Sequence, residues 1–324
     1  MLRITKILNL NVSGHKDIEF IDIDDTLDTG LYIDPYVIQA LQNEFCLCCK
    51  KYIDSFFREL FKACKEQNHT RVHKLLEYAS EPNETNLGMK TISKYGKGAT
   101  SFELTKIFLD FYKIVQKNPY VTNNPLALCM YIKNFDKDKM SDLITNIIRK
   151  ELYRFTIEQL DLWGIKLNTS NKFLGYYWDY NTLEWKELIG KPFIVGNKKL
   201  LLVPKSIVRT RYVFNVECYI KQYILNILQD DIIKNNPDKC IVKEYKDGHK
   251  RIIAPPKKEL YSDEVYGKVH KEYAFNYSSK NQKYEDSFIK DILSRIKSGY
   301  GVLEDYQLDA IVYRKYRSDF DKAS

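Results

Sequence analysis

Two stretches of the sequence carry acidic side chains at spacings suited to chemistry on a phosphodiester. Between Ser80 and Thr100, Glu81 and Glu84 stand three residues apart, followed by glycines at 88, 96 and 98 and lysines at 90, 94 and 97. Between Asn134 and Trp163, Asp138, Asp142 and Asn146 recur every four residues, which places them on one side of a helix. Oxygen ligands drawn from two segments suit Mg2+, and a cation so held activates water and stabilises charge developing at phosphorus. In that scheme Glu81, Glu84, Asp138 and Asp142 are the catalytic carboxylates, with Glu81, Glu84 and Asp142 holding the metal. Lys97, or Lys90 or Lys94 beside it, contacts the phosphate. The alternative is a solvated helix face whose carboxylates are neutralised by those lysines and Arg149. Residue choice argues against it, because Asp and Asn are poor helix formers that need a further reason to sit mid-helix.

A second acidic run, Asp22-Ile-Asp-Asp-Thr-Leu27, resembles the nucleophile motif of the haloacid dehalogenase phosphatases. The resemblance implies Asp22 as nucleophile and Asp24 as acid/base. It covers six residues, and the paired acidic motif of that family has no counterpart, since Asp230-Asp231 falls in a helical pattern. Acidic residues closing a strand are the plainer reading. Cys46, Cys48, Cys49 and Cys64, with His69 and His73, have some zinc-like spacings. The cysteines lie in an amphipathic pattern, however, which makes them buried helix residues.

These groups need elements to position them. Ile4–Val12 and Ile18–Ile23 look strand-like, and Ala310–Tyr313 likewise. Asp34-Pro35 starts a helix, with an apolar repeat running to about Lys65 and one break allowed. Helices are also expected over 70–79, from a Thr100/Glu103 capping box to before Pro119, over 134–163, over 216–234, and within 263–297. The stretch 80–100 shows no period; a connection of that length within a compact domain is usually functional. Hairpins are expected over 192–205, around Gly196-Asn197, and over 240–254, around Asp247-Gly248. In the second hairpin Lys243, Lys246, Lys250 and Arg251, with Lys257 and Lys258 just after, interleave with Tyr245 and His249. Lys243, Lys246, His249, Lys250, Arg251 and Lys257 form the candidate nucleic-acid patch; a lysine-guarded edge hairpin is the competing reading.

Three motifs, Glu-Pro-Asn-Glu-Thr-x-Leu-Gly (81–88), Asp-x-x-Ser-Asp-x-x-x-Asn (138–146) and Leu-Leu-Val-Pro-Lys-Ser-Ile-Val (201–208), resemble an uncharacterised family of bacterial proteins associated with mobile and defence loci. The resemblance spans roughly residues 20 to 260 and implies a bacterial, cytoplasmic protein of phage defence. It assigns no catalytic role.

Composition sets the remaining bounds. With 324 residues, 44% hydrophobic, the chain can build one large domain or two, and its net charge of +8 favours anionic partners. No apolar run has the length of a membrane span, Met1–Leu10 lacks the apolar core of a signal peptide, and seven cysteines without framework spacing suggest a reducing cytoplasm. Walker, dinucleotide, Gly-x-Ser-x-Gly and two-histidine zinc motifs do not occur. The expected fold is α+β: a mainly helical part over 1–165 carrying the acidic site, and a mixed part over 166–324 with two hairpins. The expected function is a metal-dependent nuclease of phage defence. A recognition subunit that binds nucleic acid or protein without chemistry, and a phosphatase acting through Asp22, are the alternatives. A neighbouring-gene protein is a further expected partner, and no membrane is.

Overall fold

The computed structural model describes residues 3–23, 29–88, 100–116, 124–167, 169–212, 214–280 and 283–313. In chain order the principal elements are β1 (Tyr32–Ile33), α1 (Pro35–Ala40), α2 (Glu44–Lys65), α3 (His69–Leu76), α4 (Ser101–Val115), α5 (Lys137–Ile147) and α6 (Arg149–Leu162). Strands β2 (Lys172–Asp179), β3 (Glu184–Gly190), β4 (Phe193–Val195), β5 (Lys198–Leu200) and β6 (Val208–Arg209) follow. Helix α7 (Leu225–Asn235), β7 (Ile241–Glu244), β8 (Lys250–Ile253), α8 (Lys257–Glu264), α9 (His270–Ser278), α10 (Lys283–Lys297) and α11 (Asp305–Val312) complete the series. The strands pair antiparallel in twos: β1–β6, β2–β3, β4–β5 and β7–β8. The class is α+β, as the sequence pattern indicates. No helix of the described residues is long and apolar enough to cross a membrane.

The described residues divide into two compact units, interleaved in sequence. Unit 1 takes those within 1–109, 137–212 and 296–324, and unit 2 those within 110–136 and 213–295. The division expected at 165/166 falls inside unit 1, because the hairpin after α6 packs back on the helices before it. Trp178 Nε1 donates to Ser55 Oγ at 2.9 Å and Trp185 Nε1 to the Leu75 carbonyl at 2.9 Å. The Phe56 ring stands edge-on to Trp178, centroids 5.2 Å apart. Such contacts bury large apolar area with both indole N–H groups satisfied.

Local signals decide most helix ends. Asp34 caps α1 by accepting from Tyr36 N at 2.9 Å. Asn43 caps α2 by accepting from Cys46 N at 2.8 Å, which is the break in the long apolar repeat. Thr100 and Glu103 form the expected reciprocal box at 2.9 and 3.2 Å. Cys46, Cys49 and Cys64 are buried in α2, and burial pushes the Cys46 thiol up to about 11 and Cys64 to about 12, so they pack as neutral thiols.

Three strand expectations fail. Ile4–Ile7 is a helical turn, Ile18–Ile23 makes a single bridge, Phe20 to Pro204, with Ile23 N turned back onto the Ile21 carbonyl at 2.9 Å, and Ala310–Val312 belongs to α11. In the first and last cases a side chain outside the apolar run decides. Asp22 accepts from Thr5 N at 2.9 Å and fixes the first turn, while Glu304 and Gln307 box the start of α11. Helix α11 closes unit 1 on its first segment. Asp309 Oδ1 accepts from His15 N at 3.0 Å and contacts His15 Nδ1 at 2.7 Å. Lys205 Nζ is shared by Asp305 Oδ1 (3.0 Å) and the His15 carbonyl (2.7 Å).

Unit 2 is held by a buried polar network. Tyr131 donates to Glu285 Oε2 at 2.9 Å and also contacts Ser278 Oγ, which lies 2.7 Å from the Tyr219 hydroxyl.

Candidate functional site

The first acidic stretch and the polar side of α5 do meet. Backbone bonds hold the loop over 80–88: Leu201 N donates to the Glu84 carbonyl (2.8 Å), Thr29 N to Asn86 (3.1 Å) and Gly30 N to Gly88 (3.0 Å). Side chains of α5 and α6 complete the hold. Asn146 Nδ2 donates to the Ser80 carbonyl at 2.7 Å, and Asp138 Oδ1 lies 3.6 Å from where a Cβ on Gly88 would stand. Met140, Leu143, Ile144 and Ile147 fill the opposite, apolar side of α5. The polar side is covered too: Ser141, Thr145, Asn146 and Arg149 are all buried, while Asp138 and Asp142 are half-buried and Glu81 is exposed.

Arg149 is the centre of the arrangement. Only 5% exposed, its Nη1 contacts Glu84 Oε1 at 2.9 Å and the Leu174 carbonyl at 3.2 Å, and its Nη2 donates to Asn146 Oδ1 at 2.6 Å. The guanidinium lies flat against Gly175, where a Cβ would come within 2.9 Å of Nη1. Gly175 sits at a register shift between β2 and β3 with φ +103°, a conformation only glycine adopts freely. One cation thus braces helix, loop and strand, and the carboxylate of Glu84 is its counter-charge. Among the described residues no group of three or more His, Cys, Asp or Glu side chains is placed to hold a metal ion. Lys90, Lys94 and Lys97 lie outside the described residues. Asn146 and Arg149 were visible in the sequence as part of the polar stripe; nothing local pointed to Gly175.

Asp22 has a different surrounding from that of a nucleophile. It is fully buried, and its carboxylate accepts from Thr5 N (2.9 Å), Thr5 Oγ1 (2.7 Å) and the Tyr313 hydroxyl (2.9 Å). Burial beside this carboxylate pushes the Tyr313 hydroxyl up, which keeps it protonated as a donor. These bonds make Asp22 an anchor between the first helical turn and the end of α11. Asp24 lies outside the described residues.

The basic hairpin of unit 2 forms a ribbon exposed on both faces. Its register pairs Ile241 with Ile253, Val242 with Ile252, Lys243 with Arg251 and Glu244 with Lys250. Tyr245 N donates to the His249 carbonyl at 3.0 Å and Gly248 adopts φ +84°, so the turn is a three-residue loop, 246–248. Because side chains alternate along a strand, Lys243, Arg251, Tyr245 and His249 share one face. There the Tyr245 and His249 rings stack with centroids 4.7 Å apart, and Lys243 Nζ stands 5.3 Å from the Tyr245 centroid. Lys250 points to the other face, 3.5 Å from Glu244 Oε2, which separates it from the rest of the candidate patch. Lys246 sits in the loop, and Lys257 begins α8.

A family model described as a domain of unknown function (DUF8370) matches residues 9–215. The stretches 81–88, 138–146 and 201–208 all fall within that span. No curated protein and no solved structure matches the chain.

Proposed function

The chain belongs to the DUF8370 family, and we propose that it acts as a nucleic-acid-binding protein whose contact element is the basic face of the β7–β8 ribbon. The observation that carries this reading is the register pair Lys243–Arg251 on one face with the stacked Tyr245 and His249 rings. Two cations flanked by aromatic rings suit a phosphate backbone with bases beside it, and a two-stranded ribbon fits the major groove of a duplex. In this reading the Glu84–Arg149 brace is structural, and the protein recognises its target without cutting it. The bacterial-defence setting rests on the resemblance of the three motifs.

Salt-dependent binding tests the reading. Replacing Lys243 and Arg251 by alanine weakens binding to all sequences and flattens the dependence of log K on log salt by about one unit per lost phosphate contact. Unchanged affinity and slope return the ribbon to a solvated edge.

The approach of Gly88 to Asp138 supports a second reading, a Mg2+-dependent nuclease whose carboxylates come from the segment over 81–88 and from α5. It requires that Mg2+ raise the melting temperature, since a ligand of the folded state stabilises it, and that Asp142→Asn abolish that rise together with nucleic-acid cleavage. A melting temperature indifferent to Mg2+ leaves the carboxylates structural.

A further inference from the structure

The second face of the ribbon carries a different chemistry. Val242 and Ile252, paired in register, are 61% and 63% exposed. On the same face, one pair nearer the loop, Glu244 stands opposite Lys250 at 3.5 Å. An isolated two-stranded ribbon is marginal in water, and β-branched side chains stabilise a strand chiefly by packing against something. This face has one apolar pair to cover and one charge of each sign beside it.

We propose that this face is a self-association surface, occupied by the same face of a second copy of the chain. Consider a two-fold axis lying between the two ribbons and parallel to their strands. It carries β7 of one copy over β8 of the other with no shift along the strands. Val242 then meets Ile252 of the second copy, Glu244 meets Lys250 of the second copy, and each contact occurs twice. An isologous contact needs this self-complementarity. The opposite face fails the same operation, because it would set Lys243 against Arg251, cation on cation. The pairing therefore selects the apolar face and leaves both basic faces outward. Four side chains per copy are far fewer than the ~20–30 residues a side of a standard interface, so the dimer is weak and reversible. This contact involves the protein alone and forms whether or not the ribbon binds nucleic acid.

Sedimentation of the purified full chain at rising concentration tests it. The parent shows a reversible monomer–dimer equilibrium, and Ile252→Lys is monomeric. Glu244→Lys alone and Lys250→Glu alone are also monomeric, since each sets like charges across the axis. An equimolar mixture of those two variants dimerises again, because every lysine of one then faces a glutamate of the other. Recovery on mixing cannot come from repair within a ribbon, where each variant keeps its own like-charged pair. Unchanged melting temperatures of the variants show that they are folded. A parent that stays monomeric throughout, a dimer indifferent to these substitutions, or a mixture that remains monomeric overturns the proposal.

Discussion

The Asp34 carboxylate meets two demands at once. Its Oδ1 accepts from Tyr36 N and caps α1, yet the group is fully buried. Burial raises its pKa from an ordinary 3.8 to about 7, opposed in part by the Tyr36 N–H and by the charge of Arg209. A proton held more tightly by the folded than by the unfolded chain stabilises the fold below the unfolded value near 4, and that contribution is lost as pH rises through about 7. Asparagine keeps the capping oxygen and cannot ionise. The melting temperature of the parent is thus expected to fall between pH 5 and pH 8 relative to Asp34→Asn, by roughly 1.4 kcal/mol of stability per pH unit at the steepest. Parallel melting curves across that range would remove Asp34 as the titrating group. The cap was legible in Asp34-Pro35 as a local spacing. The raised pKa was not, because it arises from tertiary burial, only partly offset by Arg209 far along the chain.

Among the elements, β2 is shaped by a side chain that belongs to a helix. Alanine at Gly175 would have to adopt φ +103° and push the Arg149 guanidinium off the strand, so Gly175→Ala is expected to cost on the order of 2–4 kcal/mol in urea denaturation. Its cost and that of Arg149→Ala should combine to well under their sum, because both remove the same brace. Full additivity would mean that the two residues act separately. The sequence pattern shows why this element escaped notice. Helices α2, α4 and α5 announce themselves by period, α4 also by its capping box, and the turns of β4–β5 and β7–β8 by their glycines. The β2–β3 hairpin has neither a glycine turn nor clean alternation; Leu183, at φ +55°, takes the position where glycine would have marked it. The short apolar runs at Ile4 and Ala310 misled in the opposite way, since Asp22 fixes a helical turn at the first and the Glu304/Gln307 box starts a helix ahead of the second. The acidic site was legible as two segments that converge, and Arg149 as a possible neutraliser. Its role at the centre needed the fold, because three of its partners lie on separate elements.

At the scale of the whole chain, the net charge of +8 accords with an anionic partner without naming one. The apolar patterning gave helices and hairpins but not their grouping, because unit 1 is assembled from three separated stretches and unit 2 from two. The family span, 9–215, ends before the ribbon and before α11. This placement has a consequence for synthesis, which proceeds from the N-terminus at about 5–20 residues per second. His15 and Asp22 are made long before Asp309 and Tyr313, which hold them. Unit 2 has all its residues once position 295 has left the ribosome, while unit 1 still lacks its closing helix. The segment around His15 and Asp22 therefore finds its final partners long after it is made, and the nascent chain must keep that part of unit 1 soluble until α11 arrives.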